Sequence, residues 1–277
     1  MPSDLHIHTT FSDGRLTPEE IVVAAKAAGL SYIAITDHDN VDGVRHLYEQ
    51  GLYPGKGICI IPGIECSSQA EGHDVHILGY NINIYHQELL DRLNDVVEGR
   101  WTRFTTMVEK LQELGYAITE TEVLQVAGTS KSIGRPHIAR VLVQKGFFPD
   151  IRTAFDEVLG NDKPAYVPHY KLDPAEIVAL VHAAGGIVVL AHPKLVGDDE
   201  LVERLLNLGF DGMEVFYPQH TAEDVARYQA MAEKHHLLLT GGSDFHATPQ
   251  RYPDQLGIFA VDDRYAEALY RPSAALV

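Results

Sequence analysis

At 277 residues, 45% of them hydrophobic and 22% charged, the chain is built to bury one substantial core, with or without a modest inserted unit, and is not a disordered segment. Its formal charge of −17, from 22 Lys and Arg against 39 Asp and Glu, disfavours nonspecific binding to duplex nucleic acid or anionic lipid. No apolar run is long enough to cross a bilayer and no basic-then-apolar signal core opens the chain, so a cytoplasmic setting is expected.

Ser3 to His8 reads as a strand. Thr17-Pro18-Glu19-Glu20 then starts a helix: Thr17 caps, Pro18 suits the first helical position and Glu20 closes a capping box. That helix stops near Gly29, and Tyr32 to Thr36 is a short apolar strand followed by the polar run Asp37-His38-Asp39-Asn40. Ile58 to Glu65 and Val75 to Tyr80 are further strands. Cys59 and Cys66 read as small buried hydrophobes, not as a disulfide. From about His86 to Asp162 the pattern becomes helical, with amphipathic stretches at Glu88 to Leu114 and Arg135 to Lys145. Strand–helix alternation returns at Asp173-Pro174-Ala175-Glu176, another capped start. The strands Ile187 to Ala191, Gly212 to Phe216 and Leu237 to Gly241 follow, with a last candidate at Gly257 to Val261.

This order predicts an α/β fold with a parallel sheet, closed or open, in residues 1–85 and 170–277, interrupted by a helical insertion over 86–169. In such folds the chemistry gathers at the carboxyl ends of the strands. The polar residues fall there. His6 and His8 lie two apart on the first strand and share a face, and Asp13 follows in the loop. Asp37 and His38 end the second strand, Glu65 the third, and His76 lies within the fourth. His192 follows Val188 to Ala191, and Asp244 and His246 follow Leu237 to Gly241. Taken singly, each is as well read as a capping, surface or core residue. Together, so many ionisable groups on one face would be costly to bury without cations. Imidazole and carboxylate suit zinc, manganese and iron, and local cations let an acidic protein take a phosphate.

At these residues the chain resembles the polymerase-and-histidinol-phosphatase (PHP) family of phosphoesterases. The matching motifs are Asp4-Leu5-His6-Ile7-His8-Thr9 with Ser12-Asp13-Gly14, Thr36-Asp37-His38-Asp39, Gly63-Ile64-Glu65, Val75-His76-Ile77-Leu78-Gly79, Ala191-His192-Pro193 and Gly242-Ser243-Asp244-Phe245-His246. The resemblance implies a distorted (βα)7 barrel and three divalent metal ions, manganese first, with iron and zinc also suited. One would take His6, His8, Glu65 and Asp244; Glu65 would bridge to a second with His76 and His192; the third would take Asp13, His38 and His246. Asp37 would orient the site or help in proton transfer. Such cations lower the pKa of a bridging water and neutralise phosphoryl oxygens.

Within the insertion, the segments around Arg100 and Arg103, Ser132 to His137 and Lys163 to His169 resemble a subgroup that removes the 3′-phosphate of nucleoside 3′,5′-bisphosphates, with relatives that trim short oligonucleotides from the 5′ end. The resemblance makes Arg100, Arg103 and Arg135 candidate clamps for a second phosphate, against a solvated helix face for each, and His169 a candidate at the reacting phosphate. Trp101 and Tyr166 read as core packing before base stacking. Competing readings are a histidinol-phosphate-type monoesterase and a metal-binding regulatory module without turnover.

Overall fold

The computed structural model describes residues 2–53, 55, 57–168, 170–249 and 251–271. Among them, β1 (Pro2–Ile7), β2 (Tyr32–Ile35), β3 (Cys59–Ala70), β4 (His73–Tyr80), β5 (Ile187–Leu190), β6 (Gly212–Phe216), β7 (Leu238–Gly241) and β8 (Val261–Asp262) form one sheet in the order β7-β6-β5-β4-β3-β2-β1-β8. The helices are α1 (Pro18–Ala27), α2 (Asp42–Glu49), α3 (Gln87–Glu113), α4 (Glu120–Ala127), α5 (Arg135–Gln144), α6 (Ile151–Ala154), α7 (Pro174–Ala183), α8 (Asp199–Leu206), α9 (Ala222–Lys234) and α10 (Asp263–Leu269). The capping box expected at α1 is formed, with Thr17 Oγ1 accepting from the Glu20 amide and the Thr17 amide donating to the Glu20 carboxylate.

The sheet is not uniformly parallel, which corrects the expectation from the sequence. β1, β2 and β3 run parallel, as do β5, β6 and β7, but β4 runs antiparallel to both β3 and β5. β3 is longer than its apolar run because Cys66 to Ala70 pairs with the start of β4 across the two-residue turn Glu71-Gly72. Both turn residues have positive φ, +50° and +87°, as a tight hairpin requires. The strand expected over Gly257 to Val261 shrinks to Val261–Asp262, which pairs antiparallel with Pro2 and Ser3. Cys59 and Cys66 are both free thiols.

The sheet nearly closes on itself. The segment after β7 docks on β1, with the His8 amide donating to Phe245 O at 2.9 Å and the Phe245 amide to His6 O at 3.2 Å. Gly242 permits this approach, since a Cβ there would stand 2.4 Å from both the Cβ and the N of His6. Inside the barrel, Leu5, Ala34, Ile61, Leu78 and Val189 pack on Ala266 and Leu269 of α10, and the Tyr80 hydroxyl crosses to Leu5 O at 2.8 Å. Outside it, Ile33, Ile60, Ile77 and Val188 pack on Ile21, Leu47, Val181 and Val202 of the flanking helices. β1 contributes to both sides because of a bulge. Asp4 pairs with Ile33 but Ile7 with Ile35, which gives β1 one extra residue. Leu5 therefore joins the inner core and Ile7 the outer one. α10 fills the amino end of the strands, which leaves the carboxyl end for polar groups.

Between β4 and α7 the described residues fold as helices around their own core, with Phe104, Met107, Leu111, Ile138, Leu142 and Leu159 among its members. α3 belongs to two cores. Leu89, Leu93 and Val96 pack on the barrel, and Phe104, Met107, Val108 and Leu111 on the inserted helices.

Candidate metal centre

The carboxyl ends of the strands deliver the ionisable residues to one place. His6 and His8 flank Ile7, whose burial in the outer core turns both imidazoles to the other side. Asp37 and His38 follow β2, and His38 bridges to Glu65 in β3. His192 and Asp244 adopt φ of +25° and +51°, a backbone region that side chains with a Cβ enter only where surrounding contacts enforce it.

Glu65 lies at the middle, 1% exposed. Its Oε2 is 3.3 Å from His6 Nε2, 3.1 Å from His8 Nε2 and 3.0 Å from His38 Nδ1. Its Oε1 is 2.8 Å from His76 Nδ1 and 3.1 Å from His192 Nε2. Asp244 Oδ1 faces His8 Nε2 at 3.2 Å and His6 Nε2 at 3.7 Å. Asp13 Oδ1 faces His246 Nε2 at 3.1 Å and His38 Nε2 at 4.0 Å. Three overlapping sets emerge whose ligand atoms lie within 4.8 Å of one another: His6, His8, Glu65 and Asp244; His38, Glu65 and His76; and His8, Asp13, His38 and His246. His38 thus stands between two sets, with one ring nitrogen toward each.

The donor atoms fit divalent cations. His6 Nε2, His8 Nε2, His38 Nδ1, Glu65 Oε2 and Asp13 Oδ1 are buried and meet no hydrogen-bond partner, a costly state for polar atoms that nothing binds. Burial alone would raise the carboxyls of Glu65 and Asp13, but the surrounding imidazoles hold both well below the usual range. For Asp244, Arg251 and then His246 outweigh burial in the same direction. Burial lowers the proton affinity of His8, yet the adjacent Asp244 and Glu65 carboxylates overcome it and raise its pKa to about 9. Burial takes His38 down to about 3. Ionised carboxylates beside imidazole nitrogens form clusters suited to a site of two or more metal ions.

A surrounding layer of contacts fixes these groups. Glu214, fully buried on β6, accepts from His6 Nδ1 at 3.0 Å and from the His192 amide at 2.9 Å. That leaves His6 Nε2 as the lone-pair nitrogen facing the cluster. Asp37 accepts from the Thr9 amide, the Thr9 hydroxyl and the Ser12 hydroxyl at 2.8, 2.7 and 2.5 Å, so it anchors the loop that carries Asp13. Tyr217 and Arg251 both donate to Asp244 Oδ2, at 3.1 and 2.5 Å.

The sequence matches the PHP domain over residues 4–159, a span that holds His6, His8, Asp13, His38, Glu65 and His76. The chain belongs to the PHP domain family. It is 34% identical over 249 residues to a 3′,5′-nucleoside bisphosphate phosphatase of Chromobacterium violaceum, covering 88% of this chain and 87% of that one. It is likewise 34% identical over 250 residues to the 5′-3′ exoribonuclease Rnm of Escherichia coli, covering 88% and 84%. Among solved structures, a protein of Bifidobacterium adolescentis assigned as a metal-dependent phosphoesterase superposes with a TM-score of 0.87 at 32% identity, covering 96% of this chain and 94% of that one. This PHP chain is a metal-dependent phosphoesterase, a hydrolase of small phosphorylated substrates. No described helix is long and apolar enough to cross a membrane.

The PHP barrel and the insertion share a cavity of ≈ 150 Å³ lined by Asp13, His38 and His76 on one side and by Arg100, Arg103, Arg135 and Lys171 on the other. Arg100 is pinned there, donating to Asp39 and to the Ser67 hydroxyl. Arg103 Nε donates to Val167 O at 2.7 Å and Arg135 Nη1 to Asn161 Oδ1 at 2.9 Å. Burial first, then the like charges of Arg135 and Arg100, lower the Arg103 guanidinium to about 10. Tyr166 lines the same cavity, with Arg103 and Arg135 5.7 and 5.8 Å from its ring centre. Trp101 is 48% exposed, so the core packing expected for it is corrected. His169 lies outside the described residues. Sequence reasoning missed Glu214, Arg251, Tyr217 and Lys171. Glu214 carries a legible signal, an acid at an inward position of an otherwise apolar strand; the others fall in loops without pattern.

Proposed function

We propose that the chain removes the 3′-phosphate of nucleoside 3′,5′-bisphosphates and acts by the same geometry on short 5′-phosphorylated oligonucleotides. One observation carries this reading: candidate metal ligands and the cationic side chains of Arg100, Arg103, Arg135 and Lys171 line one cavity, in which Asp74 pairs with Lys171 and Asp39 holds Arg100. A bisphosphate satisfies both halves, with one phosphate among His38, His76 and Asp13 and the other on Arg103, Arg135 and Lys171. At ≈ 150 Å³ the cavity falls below the ~300 Å³ of a pocket that encloses a drug-sized ligand. It suits phosphate groups and leaves the base outside.

Three divalent ions, manganese first, would be held by His6, His8, Glu65 and Asp244, by His76, His192 and the second oxygen of Glu65, and by Asp13, His38 and His246. When bound they supply Lewis acidity at the phosphoryl oxygens and an activated water. The chain's own part is to hold charge in place. Glu214 fixes the tautomer of His6, Asp37 tethers the Asp13 loop, and Arg251 and Tyr217 occupy the Asp244 oxygen that faces away from the cluster. Guanidinium forks on the second phosphate orient the ester. The two relatives named above, a nucleoside bisphosphate phosphatase and a 5′-3′ exoribonuclease, support a substrate with phosphates on both sides of a ribose. A histidinol-phosphate-type substrate would leave the arginines without an anion.

The test is phosphate release, with manganese added, from adenosine 3′,5′-bisphosphate, adenosine 3′-monophosphate and histidinol phosphate. The reading expects the bisphosphate to be preferred by tenfold or more in kcat/KM. Equal rates on the two adenosine compounds would overturn it.

A further inference from the structure

The small cavity leaves the rest of a substrate unaccounted for, and a second, larger cleft lies against the same cluster. It measures ≈ 1020 Å³ and shares no lining residue with the first. Helix α5 serves both, giving Arg135 and Pro136 to the small cavity and Arg140, Val143 and Gln144 to the large one. Arg15, Arg140, Arg152 and Arg251 line the large cleft, with Asp150 as its one acid and Tyr252 at 59% exposure. Asp150 is occupied as a helix cap, accepting from the Thr153 amide and hydroxyl. In a chain with 39 acidic and 22 basic side chains, this lining is locally cationic even though Arg251 pairs with Asp244 and Arg152 lies 3.7 Å from Asp156.

Three of those arginines are one contact from candidate ligands. Arg251 donates to Asp244, Arg140 to the Asp13 carbonyl, and the Arg15 amide to His246 O at 3.1 Å. Arg140 Nε is buried and meets no hydrogen-bond partner. The cleft floor is thus the back of the metal centre.

We infer that this cleft is a second anion-binding site, which takes the phosphodiester backbone of a single-stranded nucleic acid whose terminal phosphate lies in the small cavity. Arginines spaced along a groove track successive phosphates, and an exposed tyrosine offers a face on which a base stacks regardless of its identity. The inference rests on the oligonucleotide part of the functional reading above and gives it a binding surface outside the small cavity.

The experiment uses the full, metal-loaded chain hydrolysing p-nitrophenyl phosphate, with a 5′-phosphorylated ten-nucleotide single-stranded RNA as competitor, so that its inhibition constant reads binding whether or not it is cleaved. Arg15→Gln combined with Arg152→Gln should raise that constant about tenfold and flatten its log–log salt dependence by about 1.4, for two phosphate contacts at ~0.7 each. The kcat/KM for p-nitrophenyl phosphate should stay within twofold. Tyr252→Ala, at an exposed position, should weaken the RNA at least fivefold without changing the salt slope. An inhibition constant that neither substitution moves, or no inhibition of the unmodified chain, would overturn the inference. If adenosine 3′,5′-bisphosphate is not preferred while the RNA still depends on these residues, the mononucleotide reading fails and the cleft stands.

Discussion

Exchanging Glu214 for glutamine keeps the shape of the side chain and removes one acceptor. In the native site one oxygen accepts from His6 Nδ1 at 3.0 Å and the other from the His192 amide at 2.9 Å. Glutamine offers a single carbonyl, and the His192 amide, which has no other tautomer, claims it. The new amide donor then faces His6 Nδ1, which can accept only by moving its proton to Nε2, the nitrogen directed at Glu65 and Asp244. That tautomer has no lone pair on Nε2 to offer a metal. The alternative, a buried donor left facing a donor, costs about 1–3 kcal/mol. Either route lowers metal affinity by roughly 10–100-fold, the range for groups that orient a ligating histidine. Manganese titration by calorimetry reads the affinity, and thermal unfolding in chelator controls for folding. An affinity within twofold of the unmodified chain, in a protein that still unfolds cooperatively, would refute the assignment of His6 to the metal through Nε2.

Glu65→Ala removes the one carboxylate that faces His6, His8, His38, His76 and His192 at once. Bound metal measured by mass spectrometry should fall by at least one ion per chain and turnover should fall at least a thousandfold; unchanged metal content would contradict the bridging role. Arg135→Ala should lower kcat/KM for adenosine 3′,5′-bisphosphate by roughly 10–100-fold, the worth of a charged hydrogen bond of about 1.5–3 kcal/mol. Aryl phosphate should change less than threefold, and equal losses would remove its part in specificity. Gly242→Ala places a methyl 2.4 Å from backbone and Cβ of His6. The strain should cost about 1–3 kcal/mol and lower Tm by several degrees by calorimetry; an unchanged Tm would mean that the β1–β7 closure is looser than described.

Much of this arrangement is legible in the order of residues alone. Thr17 and Glu20, and later Asp173 with Pro174, announce helix starts by local chemistry that tertiary context has no reason to override. Several apolar runs are short and are followed closely by an ionisable residue, as at Asp37, His192 and Asp244, which is how a barrel rim appears in one dimension. The reversal of β4 is hidden because its first half, His73-Asp74-Val75-His76, and the end of β3, Ser67-Ser68-Gln69, carry no apolar alternation. Their pairing is held by the hairpin turn and backbone hydrogen bonds. Gly257 to Ala260 has strand composition but no neighbouring edge beyond Val261 to pair with. Arg100 illustrates a different limit. Its place on α3 puts a cation near the site but does not reveal that Asp39, in the loop after β2, holds it.

The double allegiance of α3 ties the cations it carries to the barrel. Arg100 and Arg103 sit just where the helix leaves the barrel, between Val96 below and Phe104 above. Their guanidinium groups are therefore held on the same foundation as the cluster, while the inserted helices beyond Leu111 pack around a core of their own. The place of these two cations relative to the rim is thus set by the packing of the barrel itself.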